Sequence, residues 1–479
     1  MKVSIHVHNI FRLLFILVAG WLTGCSDSED AKPAPPPSAS QVEFWLTNAD
    51  KSVLFAKQHT SLNFKTTTNS NPTITIDTAT TYQGIDGFGY TLTTGSAQVL
   101  SQMGNHDRAQ LLEELFKYDA ANIGISYLRL NLGSSDLSAS VYSYNDRPAG
   151  QPDPELNYFS LEPDRGYYLP ILKEILAINP NITLLASPWS PPAWMKTNDS
   201  PKGGSLKPEY YDAYAQYLVK YIQAMKQEGI TIDALTVQNE PLHPGNNPSM
   251  YMSAGEQAIF IKNSIGPALR GAGLDTKLII YDHNADRPDY PISILDDPEA
   301  KQYIDGAAFH LYGGTIDALS KVHAAHPDKN LYFTEQYTGA GGDFGGDLGW
   351  HVKNLIIGAT RNWSRNVLEW NLVADQNNGP YTNGGCNTCL PAVTVGNTVT
   401  RNVSYYIIAH AAKFVRPGSV RVASNVIGSL QNVAFQTRDG KKVLIVLNEG
   451  SGAQTFNISY KGKAVTATLN GGSVGTYVW

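Results

Sequence analysis

The chain has 479 residues, of which 42% are hydrophobic and 16% charged, with a formal net charge of −6. That length exceeds one typical domain, and that composition describes a folded protein of about two domains with a large core. No basic cluster is long enough for nucleic acid, so none is expected as a partner. The 26 Tyr, 15 Phe and 8 Trp suit a binder of neutral polar ligands such as sugars, and equally a well-packed core.

In chain order, Lys2 and Arg12 precede an apolar run from Leu13 to Leu22. A run that short does not span a bilayer as a permanent helix, so residues 1–24 read as a signal peptide. It ends in Leu22-Thr23-Gly24-Cys25, which resembles the lipobox of bacterial lipoproteins and implies cleavage before Cys25 and lipidation of its thiol. An ordinary signal peptide with an incidental cysteine is the alternative. Residue 26 is Ser rather than Asp, so the usual inner-membrane retention signal is absent. Ser26-Asp27-Ser28-Glu29-Asp30 resembles the surface-export signal of some outer-membrane lipoproteins, and a solvated tether would look the same. The expectation is a monomer lipid-anchored to the bacterial outer membrane, facing periplasm or exterior. It meets the membrane only through Cys25, on a disordered tether over 25–40 stiffened by Pro33 to Pro37.

Ser52-Val53-Leu54-Phe55 and Thr73-Ile74-Thr75-Ile76-Asp77 alternate without helical period, which predicts β-strands over 41–83. From Gly84 the pattern becomes strand–helix alternation, the mark of parallel strands with helical crossovers. Eight strands are predicted, near Ile85–Tyr90, Ile125–Leu130, Ile182–Ala186, Ala234–Gln238, Lys277–Tyr281, Gly306–His310, Leu331–Glu335 and Val367–Asn371. The clearest helix runs from Pro208 to Glu228, with Tyr211, Tyr214, Leu218, Tyr221, Ile222 and Met225 at helical spacing and Gly229 as its stop. Those tyrosines read as core packing rather than a sugar platform. Eight units match a (β/α)8 TIM barrel over 84–417 with lengthened loops, its last helix at Val403–Phe414. Residues 418–479 return to short strands, including Val443–Leu447 and Thr455–Ile458. The fold class is therefore α/β: a TIM barrel with an all-β sandwich side domain. Because 41–83 is too short to make a sandwich alone, both terminal segments should build it.

The fourth predicted strand runs into Gln238-Asn239-Glu240-Pro241, where Pro241 cannot continue a ladder. The seventh ends in Thr334-Glu335-Gln336. One strand ending in Glu means little. Two suggest a carboxylate pair facing across a barrel mouth, the minimum equipment for cleaving a glycosidic bond. Arg129 ends strand 2, with Asp136 shortly after. Trp189 follows strand 3, His310 and Tyr312 end strand 6, and Trp370 and Asn371 end strand 8. Each alone has a bland reading, as a paired Arg, a packed Trp or a core His. A barrel places these tips around one cavity.

At this point the chain resembles glycoside hydrolase family 30, the family of endo-β-1,6-glucanases and glucosylceramidases. The resemblance covers Gly87 to Trp479. It rests on Gly87-Phe88-Gly89, Tyr127-Leu128-Arg129-Leu130, the stretch from Ser187 to Lys196, Gln238-Asn239-Glu240-Pro241, Phe309-His310-Leu311-Tyr312, Thr334-Glu335-Gln336 and Glu369-Trp370-Asn371. It implies a retaining O-glycosyl hydrolase with Glu240 as acid/base and Glu335 as nucleophile. Arg129, Asp136, Trp189, Asn239, His310, Tyr312, Trp370 and Asn371 would contact substrate. The chain departs from some relatives after strand 1, with Thr91-Leu92-Thr93-Thr94 where they carry Asp.

The chemistry asks for these types. Glu335 must be ionised to attack the anomeric carbon, and a cation such as Arg129 would hold it so. Glu240 must give a proton and then take one back. Asn239 is placed for the sugar 2-hydroxyl, and Trp189 and Trp370 offer flat apolar faces. Glu369 is a rival carboxylate whose direction the sequence leaves open. Cys386 and Cys389 form a C-x-x-C that could be half a zinc site or a redox motif. Without a second pair, and in an oxidising compartment, a local disulfide at the cleft rim is expected. His323 and His326, on a predicted surface helix, lack the H-E-x-x-H pattern, so neither metal nor cofactor is expected.

The substrate expected is a polysaccharide or oligosaccharide, β-1,6-glucan first. The 384–389 loop and Gly95-Ser96 resemble the β-1,6-glucanase branch, and the rim loop Asp375–Thr382 is too polar for a lipid. The alternatives are another family specificity (β-glucosidase or glucosylceramidase, xylanase, galactanase) and an inactive glycan-binding surface lipoprotein.

Overall fold

The computed structural model describes residues 41–479. The expected signal peptide, Cys25 and the tether lie outside the described residues. Three strands open the described chain: β1 (Val42–Thr47), β2 (Ala56–Leu62) and β3 (Thr73–Gly84). There follow β4 (Gly87–Leu92), β5 (Tyr127–Leu132), β6 (Thr183–Pro188), β7 (Ala234–Thr236), β8 (Lys277–Ala285), β9 (Ile304–Gly314) and β10 (Asn330–Glu335). Next come the short β11 (Thr338–Gly339), then β12 (Ser364–Glu369), and four small loop strands: β13 (Val373–Ala374), β14 (Cys389–Leu390), β15 (Val393–Val395) and β16 (Val399–Arg401). The chain closes with β17 (Val420–Ser424), β18 (Leu430–Gln436), β19 (Lys442–Asn448), β20 (Gln454–Tyr460), β21 (Lys463–Leu469) and β22 (Val474–Val478).

Eight strands close a barrel in the order β10-β12-β4-β5-β6-β7-β8-β9, all pairs parallel. Parallel strands covered by helices are buried on both faces, which is why they read as near-continuous apolar runs. Tyr127, Leu185, Ala234, Ile279, Ala308, Tyr332 and Leu368 fill the interior as a separate apolar cluster. Gly89 lets β4 lie close to β5, because a Cβ there would collide with the Tyr127 carbonyl. Around the barrel, helix Tyr211–Gln227 buries Tyr214, Leu218, Tyr221, Ile222 and Met225. Tyr144 stacks on Tyr221 with centroids 5.6 Å apart, so that stripe is core packing.

Nine of the remaining strands form one sheet in the order β2-β1-β22-β19-β18-β17-β3-β20-β21, folded over Ile74, Leu444, Val446, Phe456, Ile458 and Tyr477, and the small loop strands pair among themselves as β11-β14 and β13-β15-β16. β3 lies between β17 and β20, and β1 between β2 and β22, so both chain ends build it. His410, on helix Val403–Ala412 of the barrel, bridges Thr47 and Thr476 at 2.8 Å each. Burial pushes His410 down to about 3, so it joins the two layers as a neutral imidazole.

Three expectations are corrected. Ser52–Phe55 is a bend, not a strand; its apolar residues serve a turn in which Phe55 takes φ +44° and packs on Trp45 at 5.0 Å. The fourth barrel strand stops at Thr236, before the polar tip. His326 is buried at the helix end rather than on an open face, and His323 stacks on Trp363 at 3.8 Å. Among the described residues, no helix is long and apolar enough to cross a membrane.

Candidate active site

A cavity of about 340 Å³ opens at the C-terminal end of the barrel, lined by Asp136, Trp189, Glu240, His243, Asn246, Asn284, Tyr312, Glu335, Tyr337, Trp370, Cys386 and Cys389. A larger one, about 620 Å³, lies at the opposite end beside Asp86, Asp233, Lys277 and Arg365. Arg365 there is tied to Asp86, and in a barrel that end carries stability rather than chemistry.

Glu240 and Glu335 face one another across the first cavity. One carboxylate oxygen of each and one ring nitrogen of His310 all lie within 4.8 Å of one another. Arg129 holds Glu335: Nη1 donates to Oε2 at 2.5 Å, and the Tyr312 hydroxyl donates to Oε1 at 3.1 Å. The other arm of Arg129 donates to Asn239 Oδ1 at 2.6 Å and to Asp282 Oδ2 at 2.8 Å. Its guanidinium also lies over the Trp189 ring at 4.8 Å. Arg129 is wholly buried; burial alone would lower its proton affinity, yet Asp282 and Glu335 raise it, so the cation is secure.

Glu240 sits just past the end of β7 at φ +46°, and Asp282 on β8 at φ +60°. Left-handed backbone costs a residue with a Cβ about 1–3 kcal/mol. The two tips brace each other, the Glu240 amide donating to the Asp282 carbonyl at 3.0 Å. Burial works to raise the Glu240 pKa, but His283 at 3.7 Å and His310 at 3.3 Å outweigh it and hold it well below the usual carboxylate range. Burial likewise opposes the charge on His310, yet Glu335, Asp282 and Glu240 push it up to about 9. An imidazole protonated on both nitrogens has no lone pair for a metal, so the Glu240–His310–Glu335 trio does not suit one at neutral pH. Asp136, at the rim, is pushed up to about 7 by burial and by Glu335, so near neutral pH it offers both a donor and an acceptor.

The cleft wall is pinned. Cys386 and Cys389 are joined in a disulfide. Thr382 donates through its amide to the Asp136 carbonyl at 2.8 Å and through its hydroxyl to the Asn247 carbonyl at 2.5 Å. A Cβ on Gly385 would strike the same Asp136 carbonyl. Lys196 ties the loop after β6 to the loop after β7, its Nζ donating to Ser190 Oγ, Pro201 O and Ser249 O at 2.6–2.9 Å.

Most of the expected residues converge; Trp189, Trp370 and Asn371 are placed differently, and the direction of Glu369, open in the sequence, is fixed. Trp189 and Trp370 line the cavity but are almost wholly buried, tilted on each other at 5.5 Å, so they form a wall rather than open stacking faces. Asn371 is wholly buried and does not line the cavity, with both side-chain amide atoms unpartnered. Glu369 points away from the cleft, its Oε1 meeting His351 Nδ1 at 2.7 Å and its Oε2 accepting from Ser404 at 3.3 Å. Sequence reasoning missed Asp282, His283 and Asn284. The polar quartet Tyr281-Asp282-His283-Asn284 at the fifth strand's end was a signal of the same kind as the others.

Residues 85–415 match the family model described as glycosyl hydrolase family 30 TIM-barrel domain, and 418–477 match that family's beta sandwich domain. An endo-1,6-beta-D-glucanase of Neurospora crassa is 34% identical over 468 residues, covering 90% of this chain and 96% of its own. A putative glucosylceramidase of Caenorhabditis elegans is 31% identical over 427 residues, covering 83% and 80%. The solved structure of an endo-beta1,6-glucanase superposes with TM-score 0.85 at 38% identity, covering 91% of this chain and 99% of that one.

Proposed function

The chain belongs to glycosyl hydrolase family 30, and from that premise we propose that it cuts β-1,6-glucan internally by double displacement, with Glu335 as nucleophile and Glu240 as acid/base. One observation carries the mechanism: the two carboxylates approach within 4.8 Å. Retaining enzymes hold their pair about 5 Å apart, whereas inverting ones need about 6.5–9.5 Å for an intervening water.

Glu335, oriented by Arg129 and Tyr312, attacks the anomeric carbon while Glu240 gives its proton to the leaving oxygen. Water then enters, Glu240 takes a proton from it, and the sugar leaves with its original configuration. Asn239, held by Arg129, meets the 2-hydroxyl. Asp136, His310, Tyr312, Trp189 and Trp370 shape the sugar site. The names of the Neurospora crassa relative and of the solved structure support β-1,6-glucan as substrate. So does the polar rim at Asp375–Thr382, which suits a glycan better than a lipid. The test is to incubate the protein with pustulan, laminarin, xylan and glucosylceramide. Short gluco-oligosaccharides from pustulan, β-anomers first by NMR, are expected; faster release from xylan or glucosylceramide would sink the substrate.

We propose further that the protein sits at the bacterial outer membrane as a monomer, held by lipid on Cys25. The lipobox-like Leu22-Thr23-Gly24-Cys25 supports it. Cys25→Ala should move the protein from the membrane to the soluble fraction; continued membrane association would refute the anchor.

A further inference from the structure

We propose that Asp282 is a positioning residue that fixes His310 as the proton-holding partner of Glu240 and so sets the pH above which the enzyme stops working. This rests on the roles given above to Glu240 and Glu335.

Asp282 is wholly buried and its carboxylate is reached by five donors: Arg129 at 2.8 Å, Ser187 at 2.8 Å, Thr236 at 2.8 Å, Thr334 at 2.6 Å and His310 Nε2 at 3.1 Å. These come from β5, β6, β7, β10 and β9, so one side chain ties five barrel tips together. A buried carboxylate with that many donors stays ionised, and it is held well below the usual range.

His310 then has a carboxylate at each end of its ring. Nε2 meets Asp282 Oδ1 at 3.1 Å; Nδ1 meets Glu240 Oε1 at 3.3 Å and Glu335 Oε1 at 3.7 Å. A neutral imidazole has only one N–H and would turn a lone pair on a carboxylate oxygen. Only the imidazolium donates at both ends. The other groups facing it are Tyr312 at 6.1 Å and His283 at 6.5 Å between ring centroids, with the Arg129 cation beyond Asp282 and Glu335. Carboxylates dominate the surround.

Glu240 and His310 therefore share one proton. In the resting protein it sits on His310 Nδ1. Passed to Glu240, it is the proton given to the leaving oxygen, and the one recovered from water in the second step refills the pair. Loss of that shared proton is the alkaline limb of activity, and it belongs to the pair rather than to either residue. Asp282 holds it on by charge.

Asp282→Asn should fold, lose at least tenfold in kcat/KM and move the alkaline limb down by about one pH unit or more. Thr334→Val removes one hydrogen bond from Asp282 but no charge; it should lose activity without moving the limb. The profile is measured on whichever β-glycoside the wild type cleaves, so the wrong glycan would not mimic failure. An unmoved limb in Asp282→Asn would reduce Asp282 to a structural role and overturn the proposal. Should that variant not fold, the wild type decides. With ¹⁵N-labelled histidine, both His310 ring nitrogens should carry hydrogen at pH 7, and a neutral ring would overturn it.

Discussion

The two glutamates differ in what surrounds them, and that difference separates their roles. Glu335 is gripped by Arg129 and Tyr312. Glu240 meets two imidazoles and accepts from Asn246 at 3.1 Å. Glu335→Ala should lower turnover on the order of 10⁴-fold or more, and Glu240→Ala about 10²–10⁴-fold, with the fold intact because Asp282 still pairs the buried Arg129 cation. Azide should restore part of the activity of Glu335→Ala through a glycosyl azide of inverted configuration; near-normal turnover in either variant would remove the mechanism. These residues were legible because a catalytic carboxylate here follows an apolar strand directly. Asp282 follows the apolar run Leu278-Ile279-Ile280-Tyr281 just as directly, but its inward turn was not legible, because residue types do not announce the left-handed backbone at Tyr281 (φ +73°) and Asp282 (φ +60°) that swings the carboxylate in. The burial of Trp189 under Arg129 was illegible for a similar reason, since an indole in a sequence carries no sign of what lies across its face.

At the scale of elements, all eight barrel strands were legible in order, because burial on both faces writes each as an apolar run. The four-residue run Ser52–Phe55 misled because so short a stretch serves a turn as well as a strand. Among the small strands, β15 and β16 form a local hairpin across Gly396-Asn397-Thr398, whereas β11 and β13 are set by pairing with segments that come later in the chain. β11 pairs with β14 through Gly339 and Cys389, which fastens the disulfide loop to the segment after the nucleophile. That loop is a part with its own test. Replacing Cys386 and Cys389 by Ser releases a ring of only four residues, worth about 2 kcal/mol in chain entropy. A small fall in melting temperature and a several-fold rise in KM on polymer are expected, with kcat less affected because neither glutamate lies in the loop. Equal KM for both forms in steady-state kinetics would mean the loop does not shape the cleft.

For the whole molecule, the barrel and sheet cannot be separated by cutting at Gly84. Removing 41–83 takes β3 from between β17 and β20 and β1 from beside β22. The trimmed chain should collect in inclusion bodies, although every barrel strand is intact; a soluble, active product would show that the sheet is dispensable. The same threading has a consequence in time. From Gly84 at the end of β3 to Val420 at the start of β17 there are 336 residues (420 − 84). At roughly 5–20 residues per second, a ribosome takes roughly 20–70 s to cover them. Through that interval β3 has neither neighbour, and a strand with two bare edges invites other chains. Its sequence, Thr-Ile-Thr-Ile-Asp-Thr-Ala-Thr-Thr-Tyr-Gln-Gly, answers with threonines and a single charge, Asp77, a gatekeeper for a strand that must wait for its partners to be made.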